Sequence, residues 1–252
     1  MTDGAVTLNH FGVYALTAAF HALPAGERQS LGARWLQALG DTARRVHSYR
    51  TFPTTADSDL IVWSVVPVAD GDAAGRFFTA CAGALRPLRR WVRPVAVLWG
   101  FTRPSEYSRA RRGGDSAPRR SRPEAARPDL QAPARSRQAI DPFAARTLPY
   151  LVVYPFAKTA EWYLLDAAVR QELMNEHMRI GKQYTDVQQQ LLYSTGLQDH
   201  EFVVVYETPD LARFSQLVAE LRRTEARRYT KSDAPVRVGV HLPDEEQQAF
   251  WS

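Results

Sequence analysis

The chain has 252 residues, of which 45% are hydrophobic, and its formal net charge is +5. This composition excludes a chain that is disordered throughout, and the length allows one large core or two cores of about 100 residues each. No apolar run approaches the roughly 18 residues of a membrane span. A single cysteine, Cys81, excludes an internal disulfide and a multi-cysteine metal site. Because the N-terminus also lacks the pattern of a signal peptide, we expect a cytoplasmic protein.

The positive charge is concentrated in one segment. Residues 103–139 contain ten arginines, four acidic residues and five prolines, so the remainder of the chain is slightly acidic. The segment has too little aliphatic content to fold alone, and we interpret residues 103–147 as a linker. An arm that binds acidic partners or neighbouring subunits is the alternative. Arginine richness alone is weak evidence for nucleic-acid binding, which we do not predict.

Residues 1–102 contain six predicted elements. Period-two alternation and β-branched residues indicate the strands, and apolar spacings of three and four indicate the helices. In chain order they are a strand at 8–20, a helix at 24–45, strands at 46–52 and 59–66, a helix at 73–88 and a strand at 95–101. This βαββαβ order is the ferredoxin-like arrangement.

The same order recurs in residues 148–252. The predicted elements are a strand at 148–156, a helix at 164–188, strands at 190–194 and 201–207, a helix at 209–223 and a strand at 236–240. Each half would leave one sheet face uncovered, so the two faces should be buried against each other. The predicted fold class is α+β, with two tandem ferredoxin-like halves that form a dimeric α+β barrel within one chain.

The longest predicted helix of the second half carries a candidate ligand-binding residue. His177 lies on its apolar side, and Gly181 follows one turn later. Glycine inside a helix costs about 1 kcal/mol relative to alanine. We therefore infer that a planar or bulky ligand held by His177 needs the space beside Gly181. A lone histidine on an apolar face is more often a core residue, so this hypothesis depends on its neighbours.

Several residues with suitable chemistry surround His177 in the predicted fold. Tyr154 and Lys158 lie on the strand at 148–156 or at its end, Trp162 precedes the helix, and a glutamine run ends at Gln190. A buried tyrosine can pass on an electron and a proton, and a buried lysine can pair with a carboxylate. These neighbours favour a ligand-binding role for His177 over a place in a packed core.

Five stretches carry a family resemblance. They are YPFAK at 154–158, WYLL from Trp162, EHMRIGKQY at 176–184, LLYSTGLQDHEF at 191–202 and LRRTEARRY at 221–229. Together they resemble the chlorite dismutase-like haem proteins, which include the coproheme decarboxylases. The resemblance covers residues 148–229 and is only topological over residues 1–101. It implies a haem cofactor with His177 as the iron ligand, Trp162 as the proximal tryptophan and Glu225 as an acid of the proximal hydrogen-bond network.

The resemblance also implies which branch of the family is nearest. Chlorite dismutases have an arginine thirteen residues after the histidine, whereas this chain has Gln190 there, as one branch of the decarboxylases does. In those enzymes Tyr154 would be the redox-active tyrosine and Lys158 a contact of a substrate propionate. Arg146 and Arg222 are further candidates for propionate binding.

The expected function is therefore oxidative decarboxylation of coproheme, which would be both substrate and cofactor, with hydrogen peroxide as oxidant. The family typically forms rings of five subunits, so a homo-oligomer is expected. Two alternatives stay open. One is chlorite dismutase or haem peroxidase activity, and the other is a haem-binding or carrier protein without turnover.

Overall fold

The computed structural model describes residues 6–103 and 138–252 of the chain. The first half contains β1 (Thr7–Leu16), α1 (Ala18–His21), α2 (Ala25–Gly40), β2 (Arg45–Arg50), β3 (Leu60–Pro67), α3 (Ala73–Leu85) and β4 (Val92–Phe101). The second contains β5 (Tyr150–Lys158), α4 (Ala160–Leu164), α5 (Ala167–Gly181), β6 (Gln188–Tyr193), β7 (Phe202–Thr208), α6 (Leu211–Leu221), β8 (Thr230–Ser232), β9 (Arg237–His241) and α7 (Asp244–Trp251). Within these two ranges, none of the helices has the length and apolar character needed to cross a bilayer.

The strand pairing confirms the predicted fold class. Both halves have the ferredoxin-like antiparallel order, which is β4-β1-β3-β2 in the first half and β9-β5-β7-β6 in the second. The halves then pair with each other twice, through β4 with β6 and through β2 with β9. Since β7 also pairs with β5, the hydrogen-bonded order of eight strands closes on itself. This closure leaves neither half with an unpaired sheet edge at the junctions.

The inner faces of the two half-sheets form one apolar core. Alternate residues of β5 and β7, such as Leu151, Val153, Val203 and Val205, pack there with residues of the first half, among them Trp63. The apolar run of β3 is buried on both faces because helices cover the outer side. The two half-sheets therefore pack face to face, as the sequence predicted.

Several predicted boundaries were wrong, among them the end of the helix predicted at 24–45, which stops at Gly40. The strand at 8–20 ends at Leu16, because the side chain of Thr17 accepts a hydrogen bond from the Phe20 N–H and begins α1. The helix predicted at 164–188 begins only at Ala167, because the extended backbone of Leu165 separates α5 from the short helix α4 before it. The helix α5 then ends at Gly181, so Tyr184 lies beyond it. Four elements, α1, α4, β8 and α7, were not predicted at all.

Residues 104–137 of the predicted linker lie outside the described part of the chain, but residues 138–147 pack against the folded body. Ile140 is 3% exposed and belongs to the inner core. The side-chain amide of Gln138 donates hydrogen bonds to the carbonyls of Gly181 and Tyr184, at 3.1 and 2.7 Å. These ten residues are thus part of the packed structure.

A buried ion pair joins the two halves. Arg146 Nη1 lies 2.8 Å from Glu207 Oε2, and both side chains are 3% exposed. Glu207 Oε1 accepts a 2.9 Å hydrogen bond from the hydroxyl of Tyr49 on β2, and the Arg146 guanidinium lies 5.3 Å from the ring centroid of Trp63 on β3. Burial raises the pKa of Glu207, and Arg146 and Tyr49 act in the opposite direction. Arg146, a candidate for propionate binding, is therefore already bound by a carboxylate of the protein.

Replacing Arg146 with alanine should destabilise the protein strongly, because Glu207 would be left as an uncompensated buried charge. We expect a loss of about 3–5 kcal/mol in the free energy of unfolding, measured by urea denaturation at neutral pH. The matched control is Arg213→Ala, which breaks the half-exposed pair with Asp186 and should cost at most about 1 kcal/mol. Equal losses in the two variants would contradict a structural role for the buried pair.

Candidate functional site

A cavity of about 970 Å³ lies between the outer face of the second half-sheet and the helices α5 and α6. Its volume is at the upper end of the roughly 300–1,000 Å³ typical of small-molecule sites. On β5 and β7, the residues that line it are those opposite the inner core: Tyr154, Phe156 and Lys158 on β5, and Phe202, Val204 and Tyr206 on β7. One face of each strand therefore serves the core and the other serves the cavity.

His177 lines this cavity from α5. Burial, with a smaller contribution from the charge of Lys158, lowers the pKa of its imidazole to about 4, while the charge of Glu176 acts in the opposite direction. The ring is therefore neutral at pH 7, which leaves one nitrogen lone pair available to a metal ion. Position and protonation state both suit the predicted ligand role.

Gly181 also lines the cavity, as the last residue of α5. A Cβ atom placed on it would meet no atom within 4 Å apart from its chain neighbours and the backbone of its own helix. The open space that the sequence predicted beside His177 is thus present. The assumed cost of a glycine inside a helix was wrong, because the helix ends there.

Lys158 is held against an aromatic ring beside His177. Its Nζ lies 4.1 Å from the ring centroid of Trp162, a buried residue of α4, and 3.4 Å from the carbonyl oxygen of Ala226. Burial lowers the pKa of Lys158 to about 8, with a further contribution from the charge of Arg227. The amine is still mostly protonated at pH 7, and a ligand carboxylate would relieve its unfavourable burial.

Tyr154 is paired with a second tyrosine that sequence reasoning missed. The rings of Tyr154 and Tyr206 are nearly parallel, with an angle of 25° and a centroid distance of 6.4 Å. Burial raises the pKa of Tyr154 well above its usual value, and the charge and hydrogen bond of Tyr206 raise it further. Tyr154 is therefore a neutral phenol at all physiological pH values. The period-two pattern of β7 could have placed Tyr206 on the cavity face.

The pairing register separates two neighbouring glutamines. Gln189 is opposite Tyr206, and Gln190 is opposite Val205, which belongs to the inner core. Both residues line the cavity, but their side chains begin on opposite faces of β6. Among the described residues, Gln190 Oε1 is buried and has no hydrogen-bond partner. Counting thirteen residues from His177 could not determine the face, because the connection between α5 and β6 is not helical.

Glu225 does not line the cavity. It begins a short 3-10 turn (Glu225–Tyr229), and its carboxylate forms a 2.7 Å pair with Arg228 at the surface. Its backbone N–H donates to Glu176 Oε2 at 3.3 Å. The predicted role of Glu225 beside the iron ligand stays a prediction.

Three charged residues complete one wall of the cavity. Arg222, the other candidate for propionate binding, lines it together with Arg227 and Asp233. Asp233 Oδ2 lies 2.8 Å from a terminal nitrogen of each arginine. Sequence reasoning missed Arg227 and Asp233, since neither belongs to a periodic element.

Comparison with known proteins places the chain in a family. The family model described as chlorite dismutase matches residues 27–242. The chain belongs to the chlorite dismutase family. It is also similar to the chlorite dismutase of Candidatus Nitrospira defluvii solved in complex with imidazole, with a TM-score of 0.75, 24% identity, and coverage of 100% of this chain and 97% of the other. That likeness supports the shared fold.

Two curated proteins that are similar to this chain are named coproheme decarboxylase. The protein of Mycolicibacterium smegmatis is 36% identical over 93 residues, which is 37% of this chain and 40% of the relative. The protein of Staphylococcus carnosus is 32% identical over 107 residues, which is 40% of this chain and 43% of the relative. The matches therefore span about two fifths of each relative's length.

The lowered pKa of His177 predicts a measurable pH dependence in the haem-free protein. The folded state takes up this proton near pH 4 and the unfolded state near pH 6.5, so folding stability should fall as the pH decreases from 6.5 to 4. His177→Gln should reduce this loss of stability at low pH. A part of the loss should remain, because burial also lowers the pKa values of His10 and His47. Urea denaturation across this pH range measures the folding stability, and an NMR titration of the imidazole protons measures the pKa of His177. A His177 that titrates at or above pH 6.5 would contradict the prediction.

Proposed function

We propose that this protein is a haem-dependent oxidoreductase that decarboxylates coproheme with hydrogen peroxide. The observation that carries the proposal is one cavity that combines a neutral His177 with Tyr154, Lys158 and a strong excess of positive charge. In the part of the chain that the structure describes, the charged side chains of the lining are six basic ones, Arg44, Arg103, Lys158, Arg170, Arg222 and Arg227, and two acidic ones, Asp141 and Asp233. A ligand with four carboxylates would compensate this charge.

The residues of the cavity fit an iron porphyrin. The neutral imidazole of His177 would bind the iron, the space beside Gly181 would admit a flat macrocycle, and the ring of Trp162 would support Lys158 next to it. When bound, the iron porphyrin supplies the oxidising power that the side chains of the protein lack. The two relatives named coproheme decarboxylase support coproheme as this group.

The electron balance requires one peroxide for each propionate. A propionate group gives up two electrons and one proton when it becomes a vinyl group and carbon dioxide. Hydrogen peroxide takes up two electrons and two protons and becomes two water molecules. Each decarboxylation therefore consumes one peroxide and one additional proton. Two propionates must react to yield protohaem.

Tyr154 is the proposed relay for these electrons. Its raised pKa keeps the phenol protonated, so the residue must lose its proton together with an electron and regain both from the substrate. Lys158 would hold a propionate by charge, because its ammonium group is mostly protonated at pH 7 and partly desolvated. Orientation of the propionate towards Tyr154 would then be the main contribution of the protein.

The register of β6 favours Gln189 over Gln190 as the glutamine that faces the ligand. Gln189 shares the cavity face with Tyr206, whereas Gln190 begins on the face of the inner core. Either glutamine is neutral and would hold an anion such as chlorite less strongly than an arginine does. This difference favours decarboxylation over chlorite turnover. Peroxide as oxidant and a ring of subunits stay predictions.

Replacing Tyr154 with phenylalanine should abolish carbon dioxide release while porphyrin binding and folding are retained. The reason is that phenylalanine keeps the ring but has no hydrogen atom to transfer. The measurement is chromatography of the porphyrin products after peroxide is added to the coproheme complex. Tyr193→Phe is the matched control, because Tyr193 also lines the cavity and is expected to keep activity. Protohaem formation by Tyr154→Phe at the wild-type rate would reject the relay role.

The two glutamines offer a second test, with fluoride as a probe of hydrogen-bond donors at the iron. Gln189→Leu should weaken fluoride binding to the iron porphyrin complex about fivefold, the effect of losing one hydrogen bond. Gln190→Leu should leave fluoride binding unchanged. Absorption titrations of both variants give the dissociation constants. If Gln190→Leu weakened fluoride binding and Gln189→Leu did not, Gln190 would be the glutamine that faces the ligand.

A further inference from the structure

Arg222, Arg227 and Asp233 form a compact charged cluster on the cavity wall. Arg222 is the C-cap of α6, Arg227 lies in the 3-10 turn after it, and Asp233 follows β8. A single carboxylate oxygen, Asp233 Oδ2, accepts a 2.8 Å contact from one nitrogen of each arginine. Three separate segments of the chain thus converge on one oxygen atom.

The cluster lies beside the residues of the proposed chemistry. The charges of Asp233 and Arg222 both affect the pKa of Tyr154, in opposite directions, and the charge of Arg227 lowers that of Lys158. A ligand carboxylate held near Tyr154 and Lys158 would therefore lie within the field of the two arginines. In the described structure, the group that occupies these arginines is Asp233.

We propose that Asp233 is an internal competitor that holds Arg222 and Arg227 until a carboxylate of the ligand displaces it. This inference rests on the proposed function, in which the ligand loses carboxylates during the reaction. A substrate carboxylate can take over the arginines, whereas the vinyl group that replaces it cannot. Asp233 then returns to the pair, so the cluster favours binding of the substrate over binding of its product.

The geometry makes such an exchange inexpensive. The side chains of Arg222 and Arg227 are 51% and 38% exposed and that of Asp233 is 19% exposed, so solvent reaches all three and screens the two pairs. Each guanidinium contacts Asp233 through a single nitrogen, although the group can bind a carboxylate through two parallel hydrogen bonds. A ligand carboxylate that engages an arginine through two nitrogens would therefore compete well with Asp233.

The test compares two metal-free porphyrins that differ in the number of carboxylates. Coproporphyrin III has four and protoporphyrin IX has two, and quenching of protein fluorescence reports the binding of either. Asp233→Asn removes the competing charge, so coproporphyrin III should bind about twofold to fivefold more tightly. The affinity for protoporphyrin IX should stay unchanged. Asp233→Ser also lacks the charge, and its affinities must shift in the same direction.

Two matched variants separate this effect from a general change of charge. Asp141→Asn removes the other acidic side chain of the cavity lining, and Asp186→Asn removes the partner of Arg213 outside it. Neither should change the ratio of the two porphyrin affinities. An equal change of this ratio in Asp141→Asn would overturn the proposal, because long-range charge alone would then explain the effect.

The remaining outcomes distinguish this proposal from the proposed function. A wild-type protein that binds coproporphyrin III, together with an Asp233→Asn variant that binds it equally or more weakly, would overturn the competitor role alone. Weaker binding would mean that Asp233 orients the arginines for the ligand. A wild-type protein that binds neither porphyrin would overturn the proposed function and this inference with it.

Discussion

The mutual burial of one sheet face from each half is the constraint on which the rest of the structure depends. Neither half-sheet could leave residues such as Leu151, Val205 or Trp63 in water, and their packing together forms the inner core. The direct strand contacts between the halves are short, with Phe101 opposite Tyr193 at one junction and a slightly longer ladder at the other. Side-chain packing therefore holds the halves together. The buried ion pair of Arg146 and Glu207 adds one contact with a defined geometry to this packing.

This arrangement determines where a ligand can bind. The inner face of each strand is committed to the core, so only the outer face of the second half-sheet can present polar and reactive groups under α5 and α6. Tyr154, Lys158 and Tyr206 all lie on that face. Because side chains alternate along a strand, a shift of one residue exchanges core and cavity. The neighbouring residues Gln189 and Gln190 accordingly begin on opposite faces of β6.

The electrostatics of the cavity follow from its burial. Desolvation is the largest cause of the lowered pKa values of His177 and Lys158 and of the raised pKa of Tyr154. The same environment thus yields a neutral metal ligand, a cation that gains from a carboxylate partner and a phenol that keeps its proton. In the proposed function these three states are the ones that the chemistry needs. The arginines around Asp233 add positive charge at the partly exposed end, where solvent makes exchange of partners easier.

The sequence by itself determined the order of the main elements, the fold class and several of the residues that meet in the cavity, because hydrophobic periodicity and local motifs are short-range properties. His177, Tyr154, Lys158 and Trp162 were predicted on that basis and line one cavity. Only the tertiary structure decided on which face of β6 the side chains of Gln189 and Gln190 begin, since strand register depends on pairing with β7. It also decided that Arg146 belongs to a buried ion pair and that Arg227 and Asp233 join Arg222. Contacts between segments far apart in the chain produce these assignments, and no local pattern encodes them.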